Sequence, residues 1–375
     1  MTSNSFLRVK RRYAVPAIFI TLALLGFAFE LIIPIVWHAK FYVDGARLVT
    51  TDPQLEIFGG SFSSTAWIYA PIFSAMRACG IELGSYGTSF DTNWMVANTA
   101  FGSIYLALLA WIVRCYGLPI KASGIGMLFI MIVLYSPYYA AINKDLVPFA
   151  LASLSVITLR QSSLGRSLAG LLLGLVLYGL FVREYFLLFA GMLLMAHVFS
   201  YRVRPIAVTY VLAMVAVYAL FSHIPVDVIN IGRSDYLADD TNSRIRYIME
   251  DGSAAGFLFN RVSAFIRICF PVELVLLSPA YLAFVIFRCC ASYLSIAGMF
   301  RGKLPKVRFC AHAVLAFSAV QALFEPDFGS AFRHFMSALP FLIVLYVADA
   351  RDVFGRRVVV NDSRCARQTR IHEIA

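Results

Sequence analysis

The sequence predicts an all-α, polytopic integral membrane protein with about ten transmembrane helices. Three observations point there. Of 375 residues, 60% are hydrophobic and only 14% charged, too little charge to cover the surface of a soluble domain. Apolar runs of about 15–25 residues recur along the chain, enough for a helix to cross a bilayer core. The turns between these runs alternate in charge, and mean hydropathy is +0.77.

The first run, Tyr13 to Trp37, follows Arg8, Lys10, Arg11 and Arg12 and so imitates a secretory signal. It is long for the apolar core of a signal, and no small-residue cleavage site follows, so it reads as a retained first span. Further spans are expected near 93–113, 121–142, 146–159, 167–182, 185–200, 205–222, 269–288, 309–324 and 333–350. Residues 1–350 read as a single transmembrane domain with two long outer loops, 38–92 and 223–268. Residues 351–375 read as a basic cytoplasmic tail.

In the first outer loop, Ser63 to Cys79 is apolar, contains Pro71 and carries Trp67, Tyr69 and Phe73. Gly80 and Gly84 follow it, and the stretch reads as a helix lying at the membrane interface. The second outer loop is rich in Asp and Arg and ends in an amphipathic stretch, Gly256 to Ile268. No internal repeat or inverted pair of halves is visible.

Sidedness follows from charge. The turns 1–12, 114–121, 160–166, 201–205, 288–308 and 351–375 hold 21 of the 32 Lys and Arg residues. The alternate turns hold 15 of the 21 acids. Basic turns stay on the cytoplasmic side, so both termini are expected there. The net charge of +11 is a topology signal, and nucleic acid is not an expected partner. The seven cysteines show no CxxC spacing, so neither a disulfide framework nor a zinc site is expected.

The outer turns carry the candidate chemistry. Asp44 follows the first span, where a carboxylate can serve as general base or metal ligand, or remain a solvated loop acid. Asn143-Lys144-Asp145 follows Ser136-Pro137-Tyr138-Tyr139, and Arg183-Glu184 forms a turn with almost no loop. Charges so close to hydrocarbon need partners, either a local ion pair with snorkelling or a ligand. Arg244 belongs to a mixed-charge run with Arg233, Asp235, Asp239, Asp240 and Arg246. Such runs are usually solvated salt bridges, though Arg also suits bidentate capture of phosphate.

The densest constellation is Glu325-Pro326-Asp327-Phe328-Gly329-Ser330 with Arg333-His334. Ser330 is expected to cap the last helix, which would put Arg333 in a first turn where the dipole disfavours it. An anionic ligand or facing carboxylate would then compensate. His334 has a pKa range suited to proton transfer. Glu30 and Glu273 are placed within spans, where each needs a partner. No Gly-rich phosphate loop, GxSxG or HExxH is present.

These features resemble polytopic bacterial polymerases and GT-C-type glycosyltransferases that build surface polysaccharide from polyprenyl-linked donors at the outer leaflet. The likeness rests on Asp44, the Ser-Pro-Tyr-Tyr-Ala-Ala-Ile-Asn-Lys-Asp turn at 136–145, the Arg183-Glu184 turn and the terminal 325–334 turn. It covers the architecture of most of the chain and the detail of a few dozen residues. Asp44 has no adjacent acidic partner, a departure from the acidic pair common in GT-C first loops.

The resemblance implies a multi-pass protein of the bacterial cytoplasmic membrane. It implies membrane lipid, a polyprenyl-(di)phosphate-linked saccharide donor and a glycan acceptor as ligands, with other envelope-assembly proteins as partners. Asp44, Glu184, Asp327 and His334 would be catalytic. Lys144, Arg183, Arg244 and Arg333 would bind donor phosphate, and exposed aromatics such as Tyr42, Tyr138 and Tyr139 would stack on sugars. No cofactor is expected, and no spacing indicates a divalent metal. The alternatives are a transporter or flippase of a lipid-linked or polar substrate, and a non-catalytic scaffold.

Overall fold

The computed structural model describes residues 43–84, 92–116, 122–223, 243–250, 252–302, 304–325 and 327–352, with Leu24, Gly26 and Ala28 of the first apolar run. Glu30, Tyr42, Arg233, Asp235, Asp239, Asp240 and the tail from 353 lie outside the described residues.

The described residues form helices and no strand, apart from one isolated antiparallel bridge between Arg244 and Asp327. In chain order the helices are α1 (Val43–Thr50), α2 (Ser61–Ala78), α3 (Thr92–Tyr116), α4 (Ala122–Tyr139), α5 (Leu146–Gln161), α6 (Leu164–Phe181) and α7 (Tyr185–Val198). They continue as α8 (Val203–Ala219), α9 (Ala254–Cys269), α10 (Glu273–Leu277), α11 (Leu282–Arg301), α12 (Pro305–Phe324), α13 (Phe328–His334) and α14 (Leu339–Asp352). Five are long and apolar enough to cross a membrane: Thr92–Tyr116, Leu164–Phe181, Pro279–Arg301, Pro305–Phe324 and Phe328–Tyr346. The chain is an all-α membrane protein.

Local chemistry sets the helix ends. Helix α2 stops at Gly80, whose φ of +79° places it in the left-handed region. Gly80 N–H donates to Arg77 O and Ile81 N–H to Met76 O, the paired bonds that close a helix on a C-terminal glycine. Ser163 caps α6 by accepting from Arg166 N–H, and Pro305 opens α12 where no N–H is needed.

Hydrogen bonds sort the turns between two ends of the bundle. Lys306 Nζ donates to Leu159 O (2.5 Å) and Ser162 O (3.2 Å), and Arg160 Nε donates to Cys115 O at 3.3 Å. Three basic turns therefore meet at one end, where Arg114, Arg160 and Arg301 occupy helix C-terminal turns. The macrodipole favours cations there. The turns at 140–145, 182–184 and 325–327 gather at the opposite end.

The centre belongs to α12 and α14. Every residue from Phe335 to Leu345 is buried, as expected of a helix that is apolar on all sides. Phe309 meets Phe341 edge-on at 5.5 Å, and Phe317 meets Phe189 at 5.2 Å. At the periphery α8 exposes Val208, Val211, Leu212, Val215 and Tyr218, a surface suited to lipid tails.

Two expectations need correction. The apolar run 269–288 is not one helix, because Pro271 and Pro279 cannot continue one. It breaks into α10 and a 3-10 turn at Pro279–Tyr281, and the long helix runs Leu282–Arg301. Arg288 is therefore a buried mid-helix residue and not part of a basic loop. Glu273, expected within a span, opens α10 and takes two bonds from Arg267 Nε, at 3.0 and 2.8 Å.

Candidate functional site

The site is built on a buried turn. Residues 140–145 are all buried, so their backbone groups need partners from the protein. Asn98 Oδ1 accepts from Ile142 N–H (3.1 Å). Tyr69 OH donates to Asn143 O (2.9 Å) and Tyr178 OH to Lys144 O (3.2 Å). Asn143 Oδ1 accepts from Tyr105 OH and from Asp145 N–H, both at 2.9 Å. Side chains from α2, α3 and α6 thus hold the turn in one shape. Gly45 lets α1 come close, since a Cβ there would lie 3.0 Å from Ile142 O.

Asp145, at the tip of this turn, is the hub. Its Oδ1 accepts from Arg183 Nη1 at 3.0 Å, and its Oδ2 lies 3.4 Å from Arg333 Nε. Arg183 Nη1 also donates to Tyr185 OH at 2.7 Å. Arg333 Nη1 stands 3.3 Å from Asp44 Oδ2, and Arg333 Nη2 is 3.0 Å from His334 Nε2. A guanidinium can only donate, so in its neutral form the imidazole would accept at Nε2 and carry its proton on Nδ1. That nitrogen faces Glu325 Oε1 at 2.5 Å, and Ser330 Oγ donates to Glu325 Oε2.

Exposure grades outward across the network. The Asp145 side chain is 1% exposed, whereas Asp44 and Arg333 are 17% and 28% exposed. The least buried edge of the network is therefore the Asp44–Arg333 pair. Asp44 Oδ2 itself is buried and accepts no hydrogen bond among the described residues.

Electrostatics follow from this packing. Burial works against ionisation of Asp145, but His334, Arg183, Arg333 and Lys144 hold its carboxyl well below the usual range. Asp44 is likewise lowered, against its own burial, by Arg333 and Lys144. Glu325 is lowered despite burial by His334 and Ser330. Lys144 moves the other way. Burial and the neighbouring Arg183 push its amine down to about 7, against the pull of Asp44. Its Nζ donates to Ser61 Oγ at 3.2 Å and lies 3.6 Å from the centre of the Phe62 ring.

Asp44, Lys144, Arg183, Arg333 and His334 thus come together around Asp145. Tyr138 is half-buried beside them, edge-on to Phe332 at 5.9 Å. Asp327 is the helix cap, accepting Ser330 N–H at 2.9 Å, and burial raises its pKa. The capping assignment is thereby corrected. Because Asp327 caps α13, Arg333 falls in that helix's last turn, where the dipole favours it, and carboxylates supply its compensation. Arg244 is exposed on the segment bridged to Asp327. Glu184 is exposed at the head of α7 and makes no ion pair among the described residues. Tyr139 is 1% exposed, between Tyr105 and Phe149, so it is not an exposed stacking platform.

Asp145 and Glu325, which belong to turns marked by their charge but are given no role by the sequence, are central. Away from the hub, charges pair locally. Arg261 is buried over the Tyr247 and Phe257 rings at 4.8 and 4.7 Å, and Arg267 pairs with Glu273. Among the described residues no three of His, Cys, Asp and Glu are placed to hold a metal ion.

The site defines a class no narrower than a polar, carboxylate- and guanidinium-lined centre at one end of a helical membrane bundle. Comparison with protein families, with curated proteins and with solved structures finds no match.

Proposed function

We propose that the chain is a glycosyltransferase or polysaccharide polymerase of the bacterial cytoplasmic membrane, using a polyprenyl-(di)phosphate-linked saccharide donor. We read the five long helices, the four shorter apolar ones (Gly126–Tyr139, Leu146–Gln161, Tyr185–Val198 and Val203–Ala219) and the apolar run 13–37 of the sequence as about ten crossings. With the basic turns on the cytoplasmic side, the Asp145 network faces outward, and α2 and α9 lie along that surface. Membrane lipid surrounds the bundle, and other envelope-assembly proteins are its expected partners.

One observation carries this reading. Ionisable groups from four separate segments meet at one end of the bundle, with a carboxylate and a guanidinium 3.3 Å apart at its least buried edge. That pair suits glycosyl transfer. Asp44 would take the proton of the acceptor hydroxyl as its oxygen bonds to the anomeric carbon. The carbon–phosphate oxygen bond would break, and the cationic groups would stabilise the departing phosphate. Glu325 would orient His334, which in turn accepts from Arg333.

Passage of a substrate through the bundle is less well supported, because Phe309, Phe317, Phe341 and Leu342 fill its centre. Glycan assembly in cells lacking the native protein tests the reading, with immunoblots to control for abundance. Arg333→Ala should abolish polymer, and Arg333→Lys should reduce it strongly because the planar fork is lost. Full-length polymer from well-expressed Arg333→Ala would remove the proposal's main support.

A further inference from the structure

Three cations face the centre of the site, and two of them are already engaged. Arg183 spends its Nη1 on Asp145 and Tyr185. Arg333 turns its three nitrogens to Asp44, Asp145 and His334. Lys144 differs. Its residue is only 6% exposed, yet among the described residues its Nζ makes a single hydrogen bond, to the Ser61 hydroxyl. It makes no ion pair there, and the Phe62 face supplies its other close contact. An ammonium carries three N–H donors, so this buried cation retains donors with nothing to receive them.

Resting on the reading of this site as one for a phosphate-bearing donor, we infer that Lys144 is the residue that grips the tetrahedral anion. Arg183 and Arg333, held by Asp145, then set the potential around the grip and help stabilise the departing phosphate. The charged groups acting on Lys144 are Asp44 from α1, Asp145 from its own turn, Arg183 from the 182–184 turn and Arg333 from α13, and Arg47 of α1 shares the Phe62 ring with it. From α2 it meets only a hydroxyl and a ring.

The direction of the linkage is fixed by those neighbours. Burial and Arg183 lower the free amine to about 7, so near neutral pH a good share of it is uncharged. An arriving dianion favours the charged form and draws a proton in. Anion affinity should therefore fall as pH rises past neutrality. An arginine at this position stays charged throughout that range.

The test uses the purified full chain in detergent, with inorganic sulfate as a tetrahedral dianion whose own charge is constant from pH 6 to 9, followed by calorimetry. Wild type should bind about tenfold more weakly at pH 9 than at pH 6, while Lys144→Arg should bind with a flat profile. Lys144→Met should weaken binding at pH 6 by about tenfold or more, the loss of a charge-assisted bond. Competition then identifies the source of the anion. Displacement by vesicles carrying a polyprenyl phosphate, at levels where inorganic phosphate is ineffective, assigns a lipid headgroup. Equal displacement by both assigns a free phosphate group, with Lys144 as the grip in either case. Unchanged affinity in Lys144→Met, or the same pH slope in wild type and Lys144→Arg, overturns the inference and leaves the donor reading standing. Failure of wild type to bind either sulfate or polyprenyl phosphate overturns both.

Discussion

Asp145 and Arg288 are both buried charges, and they are kept on opposite terms. Asp145 faces two guanidiniums and an imidazole that arrive from two separate stretches of chain, and the network ends at groups only partly buried. Arg288 sits in the middle of α11 with no carboxylate partner among the described residues. Its Nε and Nη2 donate to Ile268 O at 3.2 and 3.0 Å, Nη2 also donates to Ser318 Oγ at 3.3 Å, and its guanidinium lies 3.7 Å from the Phe335 ring centre. Ile268 belongs to the last turn of α9, whose carbonyls carry the negative end of the helix dipole. Arg288 is thus a clamp between helices, while the Asp145 network gathers charge around an open edge. A buried charge alone does not mark a site. The charge its partners carry, and the presence of an exposed end, separate the two.

The largest expected effect is at the hub. Asp145→Ala leaves Arg183 and Arg333 facing each other without their shared carboxylate, a loss of about 3–5 kcal/mol when a buried pair is broken. Thermal unfolding in detergent should show a strongly lowered midpoint, and polymer formation should cease. If the midpoint stays within a degree or two of wild type, the hub is not holding the site together.

Gly45→Ala should separate function from stability. The new methyl would press on Ile142 O, shifting α1 and drawing Asp44 away from Arg333. Strongly reduced glycan output with a stability change of about 1 kcal/mol is the expected pattern. Wild-type output would mean that the Asp44–Arg333 spacing is not critical.

Arg288→Met keeps the bulk of the side chain and removes the charge. Lost bonds to Ile268 O and Ser318 should cost about 1–2 kcal/mol, with polymer length and yield unchanged at matched protein levels. An inactive but abundant Arg288→Met protein would break the contrast drawn above. Glu184→Gln should have the smallest effect, because this side chain is exposed and outside the network.

Acid titration gives a further check on the hub. Asp145 and Asp44 are lowered from a reference of 3.8, so the stability they contribute is present above that value. It is lost as pH falls below 4 towards their folded-state pKa values. Asp327, raised by burial, contributes in the opposite sense around pH 4. Unfolding midpoints measured from pH 6 down to pH 3 should therefore fall in wild type, with a shallower fall in Asp145→Asn.

Much of this was legible in the sequence because hydropathy and charge act locally. Apolar runs foretold most helices to within a few residues, and charge alternation grouped the turns that meet at each end. The broken stretch 269–288 was misjudged because average hydropathy outweighed the two prolines in it. Arg288 then looked like a loop charge, since its compensation comes from Ile268 and Ser318, far away in sequence. The choice of Asp145 over Glu184, and of Glu325 over Asp327, depends on which way a turn faces once tyrosines from three other helices have tied it down. No local pattern carries that information.

The central position of Phe335–Leu345 bears on how the protein is made. Ribosomes deliver Arg333, His334 and this segment together after helices α1 to α12, so those helices enter the membrane around a space that their pillar fills later. Until then Asp145 and Arg183 can pair, but Arg333 and His334 are still missing, and aromatic faces such as Phe309 and Phe317 lack part of their packing. The protein should therefore gain both its firmness and its charged centre in one late step of biogenesis. Nascent chains stalled before that step would be expected to be prime targets for membrane quality-control proteases.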